Sequence, residues 1–226
     1  MASDFDGSSR ATQPDPIWLI NENRMLRNEN EQLRHFIASL KRLMDAVDRR
    51  ASLDTVEDTV EILEGIVCDA MDVINAKDAS LLVKDDDTDQ LTFVISKGDV
   101  PADELFGKRI PAGQGIAGWV VENRQPLVVE KAQMDERFFG GVDKKLEFKT
   151  RNILAAPIIG GDRVLGVLEV LNKDLGMNFT EDDEERLMIL CRFAGELLHS
   201  LERFVEGDTI SLTMRQISSR DAEEKP

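Results

Sequence analysis

Apolar residues in this chain fall into three rhythms, and each predicts a different element. Leu19, Leu26, Leu33, Leu40 and Val47 recur every seven residues, and Asn23, Asn30, Ile37 and Met44 stand three positions before the later ones. Read as d and a positions, these residues predict a coiled-coil helix over residues 16–50. Asparagine at an a position weakens an apolar seam, but it pairs with an asparagine opposite and so fixes register in a parallel dimer. The alternative is a helix packed on its own domain. Two asparagines ahead of the apolar a positions favour the homodimer.

The second rhythm is helical. Val56, Val60, Leu63, Val67, Ala70, Met71 and Ile74 mark an amphipathic helix, with Asp54 and Glu57 at a capping spacing. A matching long helix runs from about Glu181 to Val205, opened by Thr180-Glu-Asp-Asp183 at another capping-box-like spacing. The third rhythm is β-branched and compact. It predicts strands over Asp78–Lys84, Leu91–Ser96, Pro126–Val129, Ile153–Ile159 and Arg163–Leu171. A short helical turn is expected at Pro101–Phe106 and a short helix at Ile116–Asn123. Hairpins at Asp85–Asp89 and Gly160-Gly161-Asp162 make the sheet mainly antiparallel. Residues 132–150 are charged and carry Phe138-Phe139-Gly-Gly141, the pattern of a mobile segment with an aromatic anchor. Residues 1–15 read as disordered, 51–205 as one domain, and 206–226 as a weakly ordered tail.

Charge narrows the function classes. The 226 residues carry a net charge of -16, which opposes the basic footprint needed to neutralise phosphates, so no nucleic-acid partner is expected. The same charge disfavours an anionic membrane surface. No apolar run approaches the roughly 20 residues of a membrane-spanning helix, and the N-terminus lacks a basic, apolar leader. A cytoplasmic location is the expectation. Cys68, Cys191, His35 and His199 all fall in helical patterns. They lack the spacing of a disulfide framework or a metal site, so no metal is expected. Asp85-Asp86-Asp87-Thr88-Asp89 lacks the glycine and distal glutamate of a calcium loop, and a solvated hairpin tip is the better reading.

Gly113-Gln-Gly115-Ile-Ala-Gly118 formally matches a dinucleotide fingerprint. It lies mid-chain, with no βαβ unit around it, so the structural reading is a tight turn feeding a helix, with Gly118 allowing close packing. The start of that helix nevertheless offers backbone amides and a dipole to an anion. Candidate ligand contacts are Phe93, Gly113, Gly115, Ile116, Trp119, Phe138 and Phe139. The alternative is that the aromatic residues only close the core.

Asn172-Lys173, Phe179 and Asp183-Glu184 stand where the last strand gives way to the last helix. This constellation resembles the signature of GAF domains, best known in cyclic-nucleotide phosphodiesterases. Gly113-Gln-Gly-Ile-Ala-Gly-Trp-Val120, Arg124-Gln-Pro-Leu-Val-Val129, Lys149–Ile158 and Val164–Lys173 are similar to the same family. The resemblance covers roughly residues 52–204. It implies an α+β fold, GAF/PAS-like, in which a central antiparallel sheet has long helices on one face and a small-molecule pocket on the other.

GAF domains are sensor modules, usually not catalysts, and a cyclic nucleotide is one ligand the resemblance allows. The tetrapyrrole-binding branch attaches its chromophore through a cysteine near the pocket, and sulfoxide-reducing relatives use a mid-domain cysteine cluster. This chain has neither, and its histidines are poorly placed for haem. The expectation is a non-enzymatic dimeric regulator that relays a signal through its long helices to an unidentified downstream signalling protein. A ligand-free dimerisation adaptor is the alternative. Lys173 and Asp183 are expected to form a structural clasp with Asn172, Phe179 and Glu184.

Overall fold

A computed structural model describes residues 15–49, 56–99, 102–141, 143 and 148–201. The expectations for residues 1–14 and 206–226, the Asp54 cap, the Val47 side chain and the last helix beyond Leu201 lie outside the described residues.

The heptad stretch is one continuous helix, α1 (Pro16–Arg49). Helix α2 (Val56–Ile74) follows and leads into strands β1 (Ala76–Lys84) and β2 (Leu91–Lys97). Next come the short α3 (Ala102–Leu105), the two-residue β3 (Arg109–Ile110), α4 (Gly115–Asn123) and β4 (Leu127–Val129). Strands β5 (Ile153–Gly160) and β6 (Arg163–Lys173) form the last hairpin, and α5 (Glu181–Leu201) closes the described chain. The sheet has six strands in the order β3-β2-β1-β6-β5-β4. Every pairing is antiparallel. The fold is α+β. Three features were absent from the sequence reading: β3, too short to show a period, and the 3-10 turns Ala132–Met134 and Asp174–Gly176.

The two faces of the sheet bury different cores. Ala79, Leu81 and Val83 of β1 pack with α2 and α5, in a core that includes Leu63, Ile66, Leu187 and Leu190. Leu82 of β1 packs on the opposite face with Ile116, Ala117 and Val120 of α4 and with Val167 of β6. Both faces are covered, so the central strands read as apolar runs and not as an alternation of apolar and polar.

Helix α1 docks on α2 through residues beside its heptad seam. Phe36 is half-buried against the helical core, while Ser39 and Leu43 are buried. The Arg42 guanidinium pairs with Asp69 of α2 and also donates to Ser39 Oγ at 3.1 Å. The seam itself faces outward. Leu26 is 50% exposed, Leu33 42%, Ile37 52% and Met44 57%. Leu40 is half-buried, Leu19, Asn23 and Asn30 are exposed, and Asn23 Nδ2 donates to the Leu19 carbonyl one turn back at 2.9 Å.

Candidate functional site

A cavity opens between the sheet and α4, on the face away from α2 and α5. Its floor follows from strand periodicity. Asp78 and Ser80 are two apart on β1, and Glu169 and Leu171 two apart on β6, so each pair points to one face. Ser80 is opposite Ser96 of β2 on one side and Glu169 of β6 on the other. Ser96, Ser80 and Glu169 therefore form one polar rung across three strands. Phe93 and Ser96 are three apart, which strict alternation would place on opposite faces. A bulge shifts the β1–β2 register between Leu81 and Leu82, and both residues reach the cavity.

The roof is a strap made by the described residues of the segment between β4 and β5. Phe138, Phe139 and Phe148 of the strap line the cavity with Gly115 and Ile116 of α4. Asp143 ties the two ends of the strap to each other. One of its oxygens accepts from the Thr150 hydroxyl at 2.8 Å, and the other accepts from the Thr150 amide and from Gln133 Nε2, both at 2.8 Å. The free volume is ≈ 70 Å³, well short of the roughly 300–1,000 Å³ of pockets that enclose drug-sized ligands.

Glu169 is the least satisfied of the three carboxyls on the cavity wall. It is 8% exposed. Its Oε2 accepts from Ser80 Oγ at a long 3.4 Å, and Oε1 has no hydrogen-bond partner among the described residues. Burial pushes the carboxyl up to about 7, with the Ser80 hydrogen bond opposing. Asp78 is the opposite case. Its Oδ1 accepts from the Asp99 amide at 2.8 Å and its Oδ2 from Asn172 Nδ2 at 2.9 Å.

Five of the seven candidate contacts converge on the cavity: Phe93, Gly115, Ile116, Phe138 and Phe139. Gly113 and Trp119 do not. They line an outer groove of ≈ 330 Å³ with Gln114, Glu122, Glu136 and Arg137, which Phe138 and Phe139 separate from the cavity. The Arg137 guanidinium stands 5.3 Å from the centre of the half-buried Trp119 ring, held there by a bidentate pair with Asp135 at 2.9 and 2.7 Å. That hydrogen-bonded pairing holds the Asp135 carboxyl below its usual range.

The glycines serve the turn. Gly113 and Gly115 have φ of +69° and +75°, and a Cβ at Gly118 would stand 2.6 Å from the Gly113 carbonyl carbon. This is the tight-turn reading. Gln114 supplies no side-chain cap to α4, but Glu122 and Glu136 stand in the groove beside that helix end and oppose an anion there.

The corner between β6 and α5 is polar and buried. Lys173 Nζ pairs with Asp183, their side chains 10% and 4% exposed, and stands 5.7 Å from the centre of the buried Phe179 ring. Asp183 Oδ2 also accepts from the Thr180 amide at 2.8 Å, while Thr180 Oγ1 accepts from the Asp183 amide at 3.3 Å. This is a reciprocal cap on α5. Asn172 has φ 57°, and its Oδ1 accepts from the Arg151 amide at 2.8 Å. Asn152 Oδ1 accepts from the Lys173 amide at 3.0 Å. Glu184 is half-buried in the first turn of α5.

The sequence reading missed Asp78, Ser80, Ser96, Asp143, Thr150 and Glu169. One of them left a visible signal: Glu169 interrupts the apolar run Val164-Leu-Gly-Val-Leu-Glu-Val-Leu171. Among the described residues no cluster of His, Cys, Asp and Glu could hold a metal ion. Cys68 is exposed on α2, and Cys191 is buried on α5, where burial pushes its thiol up. No described helix is long and apolar enough to cross a membrane.

Comparison with known proteins agrees with this architecture. The family model of the GAF domain matches residues 58–198. The chain is 33% identical over 138 residues, 58% of its length, to the probable 3',5'-cyclic phosphodiesterase pde-5 of Caenorhabditis elegans, of which that stretch is 19%. It is 38% identical over 88 residues, 39% of its length, to the alpha subunit of the rod cGMP-specific 3',5'-cyclic phosphodiesterase of Bos taurus, of which that stretch is 10%. The chain thus spans a fifth or less of these relatives. Among solved structures, the GAF domain of a phosphoenolpyruvate-protein phosphotransferase from Coxiella burnetii superposes with a TM-score of 0.63 at 19% identity, covering 76% of this chain and 97% of that one. The free methionine-R-sulfoxide reductase of Neisseria meningitidis superposes with a TM-score of 0.54 at 18% identity, covering 72% of this chain and 92% of that one. At these identities the structural matches speak for the fold alone.

Proposed function

The chain belongs to the GAF domain family, and from that premise we propose that it is a non-catalytic, dimeric regulatory module that senses a small molecule in the cytoplasm. The carrying observation is the route from the cavity to the helices. Asp78 lies in the cavity wall and binds Asn172. Asn172 adjoins Lys173, and Lys173 pairs with Asp183 in the first turn of α5. Helices α5 and α1 both pack on α2. A ligand that lifts the strap and reshapes the cavity floor thus acts on a continuous polar connection toward the helical layer. A change in helix packing along α1 is then available to a downstream signalling protein.

A cyclic nucleotide is the first ligand class to test, because the curated relatives are cyclic-nucleotide phosphodiesterases. Thermal melts of the full chain with cAMP and with cGMP are the experiment, with native mass spectrometry of protein purified from its own cell to identify copurified ligand. A rise in melting temperature with either nucleotide supports the reading. No shift with either, and no copurified small molecule, overturns it. One observation favours the second reading, a ligand-free dimerisation adaptor. The cavity is largely filled by its own phenylalanines, with ≈ 70 Å³ left free.

A further inference from the structure

Resting on the reading of the cavity as a ligand site, we infer that the Ser96–Ser80–Glu169 rung is its selective end and takes a flat nitrogen head group with paired N–H donors, of the amidinium type. The argument starts from unmet hydrogen-bonding capacity. A carboxylate has about four acceptor sites, and Glu169 uses one, weakly. A buried carboxyl left in that condition destabilises the fold unless a partner supplies donors. Among the described residues only the Ser80 hydroxyl does so, at 3.4 Å.

The other two carboxyls on the wall are committed. Asp78 is held by Asn172 and the Asp99 amide, and Asp143 by Thr150 and Gln133. Of these three carboxyls among the described residues, Glu169 is the one with an oxygen left for an incoming donor. Paired N–H groups match the two oxygens of one carboxylate, the geometry that makes guanidinium and amidinium partners strong. The surrounding wall supports a flat cation. Phe93, Phe138, Phe139 and Phe148 present aromatic surface to the cavity, and ring faces attract cations. Among the described residues no Lys, Arg or His lines the cavity. An anionic head at this end would face Glu169 with no counter-charge from those residues.

Protonation follows from the same geometry. Around neutral pH Glu169 is divided between acid and carboxylate. A cationic head binds the carboxylate, so the acid form must first release its proton to solvent. Beside Glu169 on the neighbouring strands are Ser80 and Ala155, with Ser96 one strand further on, and none of the three titrates near neutrality. The titratable groups elsewhere on the wall are Asp78 from β1 and Asp143 from the strap. Affinity for the cation should therefore rise with pH through about 7.

Benzamidine and benzoate are a matched pair of probes, with the same ring and opposite charge. Calorimetric titration of the full chain should show benzamidine binding at one site at least about tenfold tighter than benzoate. Its affinity should fall about tenfold from pH 8 to pH 6, with proton release visible at pH 7 in two buffers of different ionisation enthalpy. Glu169→Gln should lose at least about tenfold and the pH dependence. Ser80→Ala provides a second variant, expected to weaken binding by a smaller factor. Equal or tighter binding of benzoate, no binding of benzamidine, or its binding without proton release overturns the inference. So does a folded Glu169→Gln that binds as the parent does. If cAMP or cGMP stabilises the chain while benzamidine fails to bind, this inference falls and the sensing function stands. If benzamidine binds through Glu169 and neither nucleotide does, the nucleotide assignment falls and the rung stands.

Discussion

Asn172 donates through Nδ2 to Asp78 Oδ2 at 2.9 Å, and that bond ties the corner between β6 and α5 to the wall of the cavity. Asn172 reaches it with φ 57°, a conformation asparagine tolerates better than most residues. Asn172→Gly should keep the backbone and lose both side-chain hydrogen bonds, at about 1–3 kcal/mol in urea unfolding. Asn172→Asp should cost more, because it sets a second carboxylate against Asp78 in a buried site. Equal stability of the two variants would refute the pairing as a stabilising contact.

Lys173→Ala removes the counter-charge of a buried aspartate. About 3–5 kcal/mol of stability should go with it, since the remaining charge is left desolvated. Asp183→Asn keeps a polar group at the helix start and should cost less than Asp183→Ala. If Lys173→Ala loses ligand affinity at full stability, these residues belong to the binding site and not to a clasp.

Glu169 makes a pH prediction with a definite sign. Its folded value, about 7, lies above the ordinary 4.5. The folded state therefore holds the proton more tightly than the unfolded state, and this group's contribution to stability falls as pH rises from about 4.5 to about 7, then levels off. The size is up to about 3 kcal/mol. Asp135, held low by Arg137, acts in the opposite sense at acidic pH, so the informative quantity is the difference between the parent and Glu169→Gln. That difference should grow from pH 5 to pH 7 in chemical denaturation. A flat difference would mean Glu169 is not held in a desolvated site.

The outward stripe on α1 predicts assembly. Sedimentation should give a particle of twice the chain mass. Leu26→Arg together with Leu33→Arg should dissociate it without unfolding the sheet domain, because both side chains are more than 40% exposed in the single chain. A monomeric parent at micromolar concentration would dispose of the heptad seam as a dimer contact.

Gly118→Ala should cost about 1–3 kcal/mol, since a Cβ there meets the Gly113 backbone at 2.6 Å and the turn has to yield. A neutral Gly118→Ala would show that the turn gives way without cost.

The sequence by itself determined the elements and much of their order. Seven-residue, 3.6-residue and two-residue periods are local properties of side-chain spacing, and they place α1, α2, α5 and the β1–β2 and β5–β6 hairpins to within a few residues. The Asn172–Glu184 signature identified the family because its residues lie close in sequence around one corner. Other features depended on tertiary structure. The central strands are apolar on both faces, so their pattern does not say which side chains meet α4 and which meet α2 and α5. Only the register sets Ser80 opposite Ser96 and Glu169, and only the bulge brings Phe93 and Ser96 to the same side. The division of the seven candidate contacts into five that reach the cavity and two, Gly113 and Trp119, that line only the outer groove also waits on the fold, because it depends on where the strap crosses the mouth. Glu169 is visible in the sequence as a charge inside a strand. Its unmet valence exists only once the fold has buried the carboxyl and, among the described residues, offered it a single hydroxyl.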